Sequence, residues 1–129
     1  PVASAVSLKN IEIVKQENLA QNADKMGKYM RERLNSLADH PYVGEIRGKG
    51  LLLGVELVTD KDKKTPMEMA QANSIVQNCL KQGVSIMRNG FTIPGLGNIL
   101  IMCPPLILQE SEADQIADAV SNSLKQALN

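Results

Sequence analysis

Apolar positions in the first third of the chain follow helical spacing. Between residues 2 and 16, Val2, Ala3, Ala5, Val6, Leu8, Ile11, Ile13 and Val14 fall on several sides of one helix. A helix that is apolar nearly all round expects burial from more than one direction. A domain of this size is expected to cover only part of it, which points to a missing partner surface. Helical periodicity that begins directly after Pro1 is likewise expected of a piece of a longer chain. Residues 19 to 38 give a cleaner amphipathic pattern, with Leu19, Ala23, Met26, Met30, Leu34 and Leu37 on one stripe. Asp39, His40 and Pro41 end it, because the residue before a proline resists helical geometry.

The period then changes. Tyr42 to Arg47 and Leu51 to Val58 read as strands joined by Gly48-Lys49-Gly50, where glycine permits a tight connection. In the second strand Leu51, Leu53, Val55 and Leu57 share one face, and Leu52, Gly54, Glu56 and Val58 share the other. After a charged loop from Thr59 to Lys64, Thr65-Pro66-Met67-Glu68 predicts a helix start with a capping box. Met69, Ala72, Val76, Cys79 and Leu80 form its predicted buried stripe, and Gly83 stops it. Val84 to Met87 and Asn98 to Cys103 are predicted as short strands. The connection between them, with Asn89, Gly90, Pro94, Gly95 and Gly97, is expected to be mobile. Pro104-Pro105 ends the last strand. A final helix is predicted from about Ser111 to Leu128, with Ile116, Ala117, Val120 and Leu124 inward. This order predicts one α+β domain over residues 1–129, a small and mainly antiparallel sheet covered on one face by helices.

Composition narrows the function classes. The chain has 129 residues, 43% apolar and 22% charged, which is the balance of a soluble globular protein and not of a disordered one. Lys plus Arg and Asp plus Glu number 14 each, so no charge excess argues for nucleic acid or an anionic membrane. The aromatic residues are Tyr29, Tyr42 and Phe91 alone, which leaves no platform for stacked bases. Cys79 and Cys103 both lie in apolar runs and are expected to be small buried thiols in a reducing compartment. With His40 as the single histidine, the chain lacks the ligand set of a zinc site. No stretch has the pattern of a signal peptide or a membrane span.

No catalytic constellation is self-contained in these residues. Gly48 and Gly50 join two strands and open no helix, so a tight turn is the better reading than a nucleotide fingerprint. Arg88 stands at the end of a strand and at the mouth of the glycine- and proline-rich loop. A planar guanidinium there can grip a carboxylate in a bidentate fork; the plainer alternative is an exposed arginine at a strand end. Arg47, flanked by Gly48 and Gly50, reads as turn-stabilising. Lys9, Lys49, Lys61, Lys63 and Lys64 read as solvated charge, with no dry pocket to prepare one of them for Schiff-base chemistry.

Three stretches, taken in order, resemble the class III aminotransferases. Pro1 to Leu8, with Ile11 and Ile13, is similar to the helix after that family's glycine-His-Pro segment. Val43-Gly44-Glu45-Ile46-Arg47-Gly48-Lys49-Gly50-Leu51, leading to Gly54-Val55-Glu56-Leu57, resembles its pair of glycine-bearing strands. Cys103-Pro104-Pro105-Leu106 resembles its Pro-Pro strand end, with an acidic helix following. Gln109 departs from the family's frequent threonine helix cap, and the loop from Asn89 to Asn98 is longer than in many members.

The resemblance implies the C-terminal small domain of a fold-type-I enzyme that uses pyridoxal 5'-phosphate, with the large cofactor-binding domain absent. It implies a cytoplasmic homodimer whose partners are its own large domain, its second subunit, and small amine and keto acid substrates, without nucleic acid or membrane. The Schiff-base lysine, the aspartate facing the pyridine nitrogen and the phosphate-binding threonine would all lie upstream of Pro1. No catalytic, cofactor-binding or metal-binding residue is therefore expected in this chain. Arg88 matches the small-domain arginine that binds a substrate carboxylate in the branch acting on amines, ω-amino acids and pyruvate. Two alternatives stand beside this reading: a decarboxylase, mutase or racemase on the same scaffold, and a stand-alone α+β regulatory or dimerisation domain.

Overall fold

Helices α1 (Val2–Gln16) and α2 (Leu19–Asn35) lead into strands β1 (Val43–Lys49) and β2 (Leu52–Asp60). A two-residue strand β3 (Thr65–Pro66) precedes α3 (Met69–Lys81), β4 (Met87–Arg88), β5 (Ile99–Met102) and α4 (Glu110–Gln126). This computed structural model describes residues 1–90, 93 and 96–127; the predicted end of α4 at Leu128, and Phe91, Pro94 and Gly95 of the long connection, lie outside the described residues. The strands run in the order β1-β2-β5-β4 with every neighbouring pair antiparallel, and β3 pairs with β2. The result is the predicted α+β architecture.

Alternation along the strands decides which face is buried. Leu53 and Val55 of β2 lie opposite Met102 and Leu100 of β5, and all four are buried beneath α2, α3 and α4. Met26, Met30 and Leu34 of α2, Ile75 of α3, and Val120 and Leu124 of α4 close the same core. Each fully buried side chain of this size stabilises the fold by ~1.5–3 kcal/mol. On the opposite face, Leu52 and Met87 remain largely exposed.

The stripe on α2 lands as its spacing predicts, and the helix tightens at its end. Leu37 N donates to Leu34 O at 2.8 Å and Ala38 N donates to Asn35 O at 3.0 Å, both three-residue steps. Lys61 Nζ donates to the Ala38 carbonyl, in the turn just past the helix, at 2.6 Å. Gly27 carries a contact that periodicity does not reveal. A Cβ there would fall on the Gly50 main chain, so α2 lies directly against the β1–β2 turn.

α1 behaves as its pattern predicts, with no buried residue. Val2 is 78% exposed and Val6, Leu8 and Ile11 are all more than half exposed.

Several expectations need correction. Thr65 and Pro66 do not start α3; they pair with Asp60 and Val58, and Met67 N donates to Leu57 O at 3.0 Å. Burial of Met67 against the core draws this segment onto the sheet edge, so the N-cap is Glu68, without a side-chain cap bond. The α3 stripe is Ala72, Ile75 and Cys79, while Met69 and Leu80 are exposed and Val76 is only partly covered. β4 begins at Met87, not Val84, because Val84 N is spent on Cys79 O in closing the helix. α4 starts at Glu110. Its cap is Gln109, whose backbone N–H donates to Glu112 Oε2 at 2.9 Å in a capping box. Cys79 is buried, but Cys103 is exposed, since it follows buried Met102 and alternation turns it outward.

Candidate functional site

Two strand ends, one helix and one loop meet around Arg88. β4 pairs with β5 through Met87 opposite Ile101 and Arg88 opposite Leu100. Leu100 faces the helices, so the Arg88 side chain leaves the sheet on the helix side, where it is half-buried. Asn89 fixes the mouth of the hairpin. Its backbone N–H donates to Ile99 O at 3.0 Å, and its Oδ1 accepts from Ile99 N at 2.8 Å. Its Nδ2 donates to Leu96 O at 3.3 Å. The neighbouring Asn98 is buried and ties β5 to β2, donating through Nδ2 to Leu57 O at 2.8 Å.

The guanidinium is held on three hydrogens. Nε donates to Asn73 Oδ1 on α3 at 2.8 Å, and Nη1 donates to Asn89 O at 2.7 Å and to Gly97 O at 3.2 Å. Two glycines make the space it occupies. A Cβ at Gly97 would fall on Arg88 Nη1 and lie 3.0 Å from Met69 Cγ and Sδ. A Cβ at Gly90 would lie 3.0 Å from the same nitrogen. The described part of the connection thus cradles the arginine.

All of these partners are neutral. Arg33 lies 2.7 Å from Asp114 and 3.0 Å from Asp118, and Arg47 lies 2.7 Å from Glu45. No ion pair among the described residues includes Arg88. A half-buried cation with only neutral acceptors keeps its charge available to an incoming anion. Arg47 is the opposite case, and its expected part in the turn is not observed. It lies on the open face between Glu45 and Glu56, the latter 3.8 Å away. Arg31 is the residue that donates to the turn, reaching Gly48 O at 3.2 Å.

The remaining candidates disperse. The ten lysines are all exposed. No group of three metal-ligating side chains gathers among the described residues. His40 accepts from Tyr42 N at 3.2 Å through Nδ1, and burial holds its pKa below the usual value, helped by Lys61 and Lys125. Asn89, Gly90 and Gly97 belong to the loop that the sequence places beside Arg88, but Asn73 was not singled out as its neighbour. Asn73 is fifteen residues from the arginine it contacts, and no local spacing signals such a pair.

The Aminotransferase class-III family model matches residues 1–124. The chain belongs to the class III aminotransferases. It is 38% identical over 122 residues to the taurine–pyruvate aminotransferase of Rhodobacter capsulatus, covering 94% of this chain and 27% of that protein. It is 35% identical over 127 residues to the putrescine–pyruvate aminotransferase of Pseudomonas aeruginosa, covering 98% of this chain and 26% of that protein. The crystal structure of a Bacillus anthracis aminotransferase superposes with a TM-score of 0.95 at 40% identity, over 98% of this chain and 28% of that one. The chain thus spans a little over a quarter of the length of the relatives it matches. The family depends on pyridoxal phosphate.

Proposed function

We propose that this chain is the C-terminal small domain of a pyridoxal-phosphate-dependent transaminase that moves an amino group from an amine or ω-amino acid to a keto acid such as pyruvate. Its part is to close over the active site and to recognise the substrate carboxylate through Arg88. The observation that carries this reading is the half-buried Arg88 guanidinium, whose acceptors among the described residues are all neutral. Two relatives are named for different amino donors, taurine and putrescine, and for the same acceptor, pyruvate. A carboxylate carried by the acceptor gives such enzymes a common feature to bind. In this reading the cofactor is held by the large domain, outside this chain.

The exposed apolar residues of α1 support a covering large domain or second subunit, since contiguous exposed apolar surface commonly marks a partner. A cytoplasmic homodimer is part of the same reading. Among the described residues, no helix is long and apolar enough to cross a membrane.

The test is Arg88→Ala in the full-length enzyme, with each half-reaction followed separately. A charge-assisted contact is worth ~1.5–3 kcal/mol, so the specificity constant for pyruvate should fall roughly tenfold to a hundredfold relative to that for a carboxylate-free amine. Arg88→Lys should recover part of the loss, because a point charge does not reproduce the fork. Equal losses with both substrates would assign Arg88 to folding or closure instead.

A further inference from the structure

Resting on the carboxylate-binding reading of Arg88, we infer that Asn73 is a positioning residue that occupies one arm of the arginine's fork and is displaced by the substrate carboxylate. The inference comes from counting hydrogens. A guanidinium carries five N–H groups, one on Nε and two on each Nη. In Arg88 the Nε hydrogen is given to Asn73 Oδ1, and both Nη1 hydrogens are given to the carbonyls of Asn89 and Gly97. The two on Nη2 have no acceptor among the described residues.

A bidentate carboxylate needs hydrogens on two adjacent nitrogens. Two edges offer them, Nη1 with Nη2 and Nε with Nη2, and each already has one arm engaged. On the first edge the competitors are main-chain carbonyls. Asn89 is anchored to β5 through its backbone and its side chain, and Gly97 packs against the nitrogen itself. Neither carbonyl can withdraw without opening the β4–β5 hairpin. On the second edge the competitor among the described residues is one side-chain amide at an exposed position of α3, which leaves by rotating. The carboxylate therefore docks on the Nε–Nη2 edge, and Asn73 gives way.

The exchange is selective by charge. An amide oxygen is a neutral acceptor, whereas a carboxylate at the same nitrogen adds its own charge and engages Nη2 at the same time, so it holds the guanidinium more strongly. A substrate with a carboxylate displaces Asn73, whereas one without it leaves Asn73 in place and the arginine aligned. The side chain thus spares Arg88 an internal carboxylate, which would compete permanently with the substrate.

The experiment titrates the full-length enzyme with propionate, which has the carboxylate of pyruvate without its reactive carbonyl, by isothermal calorimetry. Asn73→Asp places an ionised competitor where Oδ1 lies and should weaken propionate binding by at least about tenfold. Asn73→Ala removes the competitor and should tighten binding about twofold to tenfold, the range of one ordinary hydrogen bond. The ratio of pyruvate to carboxylate-free amine specificity should move in the same two directions. Because residue 73 is exposed, unfolding midpoints of both variants should stay near the wild type, which separates this role from a structural one. An aspartate variant that binds propionate as tightly as the wild type overturns the inference. An alanine variant weakened as much as the aspartate variant overturns it too. Arg88→Ala in the same titration separates the two levels. If it leaves propionate binding unchanged, the carboxylate reading itself fails. If it abolishes binding while Asn73→Asp does not weaken it, only the role of Asn73 fails.

Discussion

Gly27→Ala puts the packing of α2 on the β1–β2 turn to a quantitative test. In the middle of an exposed helix, alanine is better than glycine by ~1 kcal/mol. Gly27 is buried, and a Cβ there would meet the Gly50 main chain. Neither side can readily yield. Met26 and Met30 hold α2 in the core, and Gly50 occupies a tight turn at a φ of 54°. Overpacking of this kind costs ~1–3 kcal/mol. Moving the helix off the turn also lengthens the exposed 3.2 Å bond from Arg31 Nη1 to Gly48 O, at a cost of up to ~1 kcal/mol. With the Cβ falling on backbone, the overpacking cost takes the upper part of its range, ~2–3 kcal/mol, so after the gain in helix propensity the net destabilisation is ~1–3 kcal/mol. Urea unfolding of the 129-residue chain should show a lower midpoint with an unchanged slope. Gln21→Ala, on the exposed side of the same helix, should stay within ~0.5 kcal/mol of the wild type. A Gly27→Ala chain as stable as the wild type, or more so, would refute the close approach.

Two further outcomes follow from single side chains. Cys103 should react readily with a thiol reagent while Cys79 reacts only on unfolding, because burial pushes the Cys79 thiol up against a smaller opposing pull from its Ser123 hydrogen bond; equal rates for the two thiols would contradict the assigned faces. For His40 the folded pKa lies below the unfolded value, so the unfolded chain binds the proton first on acidification. Its contribution to stability should be intact above about pH 6.5 and be lost as pH falls below that value. His40→Gln should flatten this part of the stability profile, and an unchanged pH slope in that variant would remove His40 as the cause.

The elements most legible in the sequence are those whose burial repeats along the chain. Met26, Met30 and Leu34 mark α2, and Leu53, Val55 and Leu57 mark the inner face of β2, because a local period maps directly onto one buried face. Thr65-Pro66 was not legible in this way. Its capping pattern is a local preference, and burial of Met67 beside it was the stronger tertiary demand. Ile75 was missed because Met69, Val76 and Leu80 offered a competing apolar stripe only one position away. Cys103 was misplaced because apolar neighbours say nothing about which way a strand's last residue turns. At the candidate site, Arg88 was legible as a cation beside a glycine-rich loop. Its surroundings were not, since Asn73 reaches it from another element and Gly97 is defined by what it lacks. The glycines expected to loosen this segment are, at positions 90 and 97, the residues that admit the guanidinium.

The central claim is a division of labour, in which this chain recognises substrate and leaves cofactor attachment to another part of the enzyme. The most direct measurement is the visible absorption of the purified 129-residue chain mixed with pyridoxal phosphate. Its ten lysines are all exposed, and the proposal places covalent capture outside this chain. The account predicts weak, non-stoichiometric reaction spread over many lysines and unaffected by replacing any one of them. A stoichiometric covalent adduct that disappears when one lysine is replaced would contradict it.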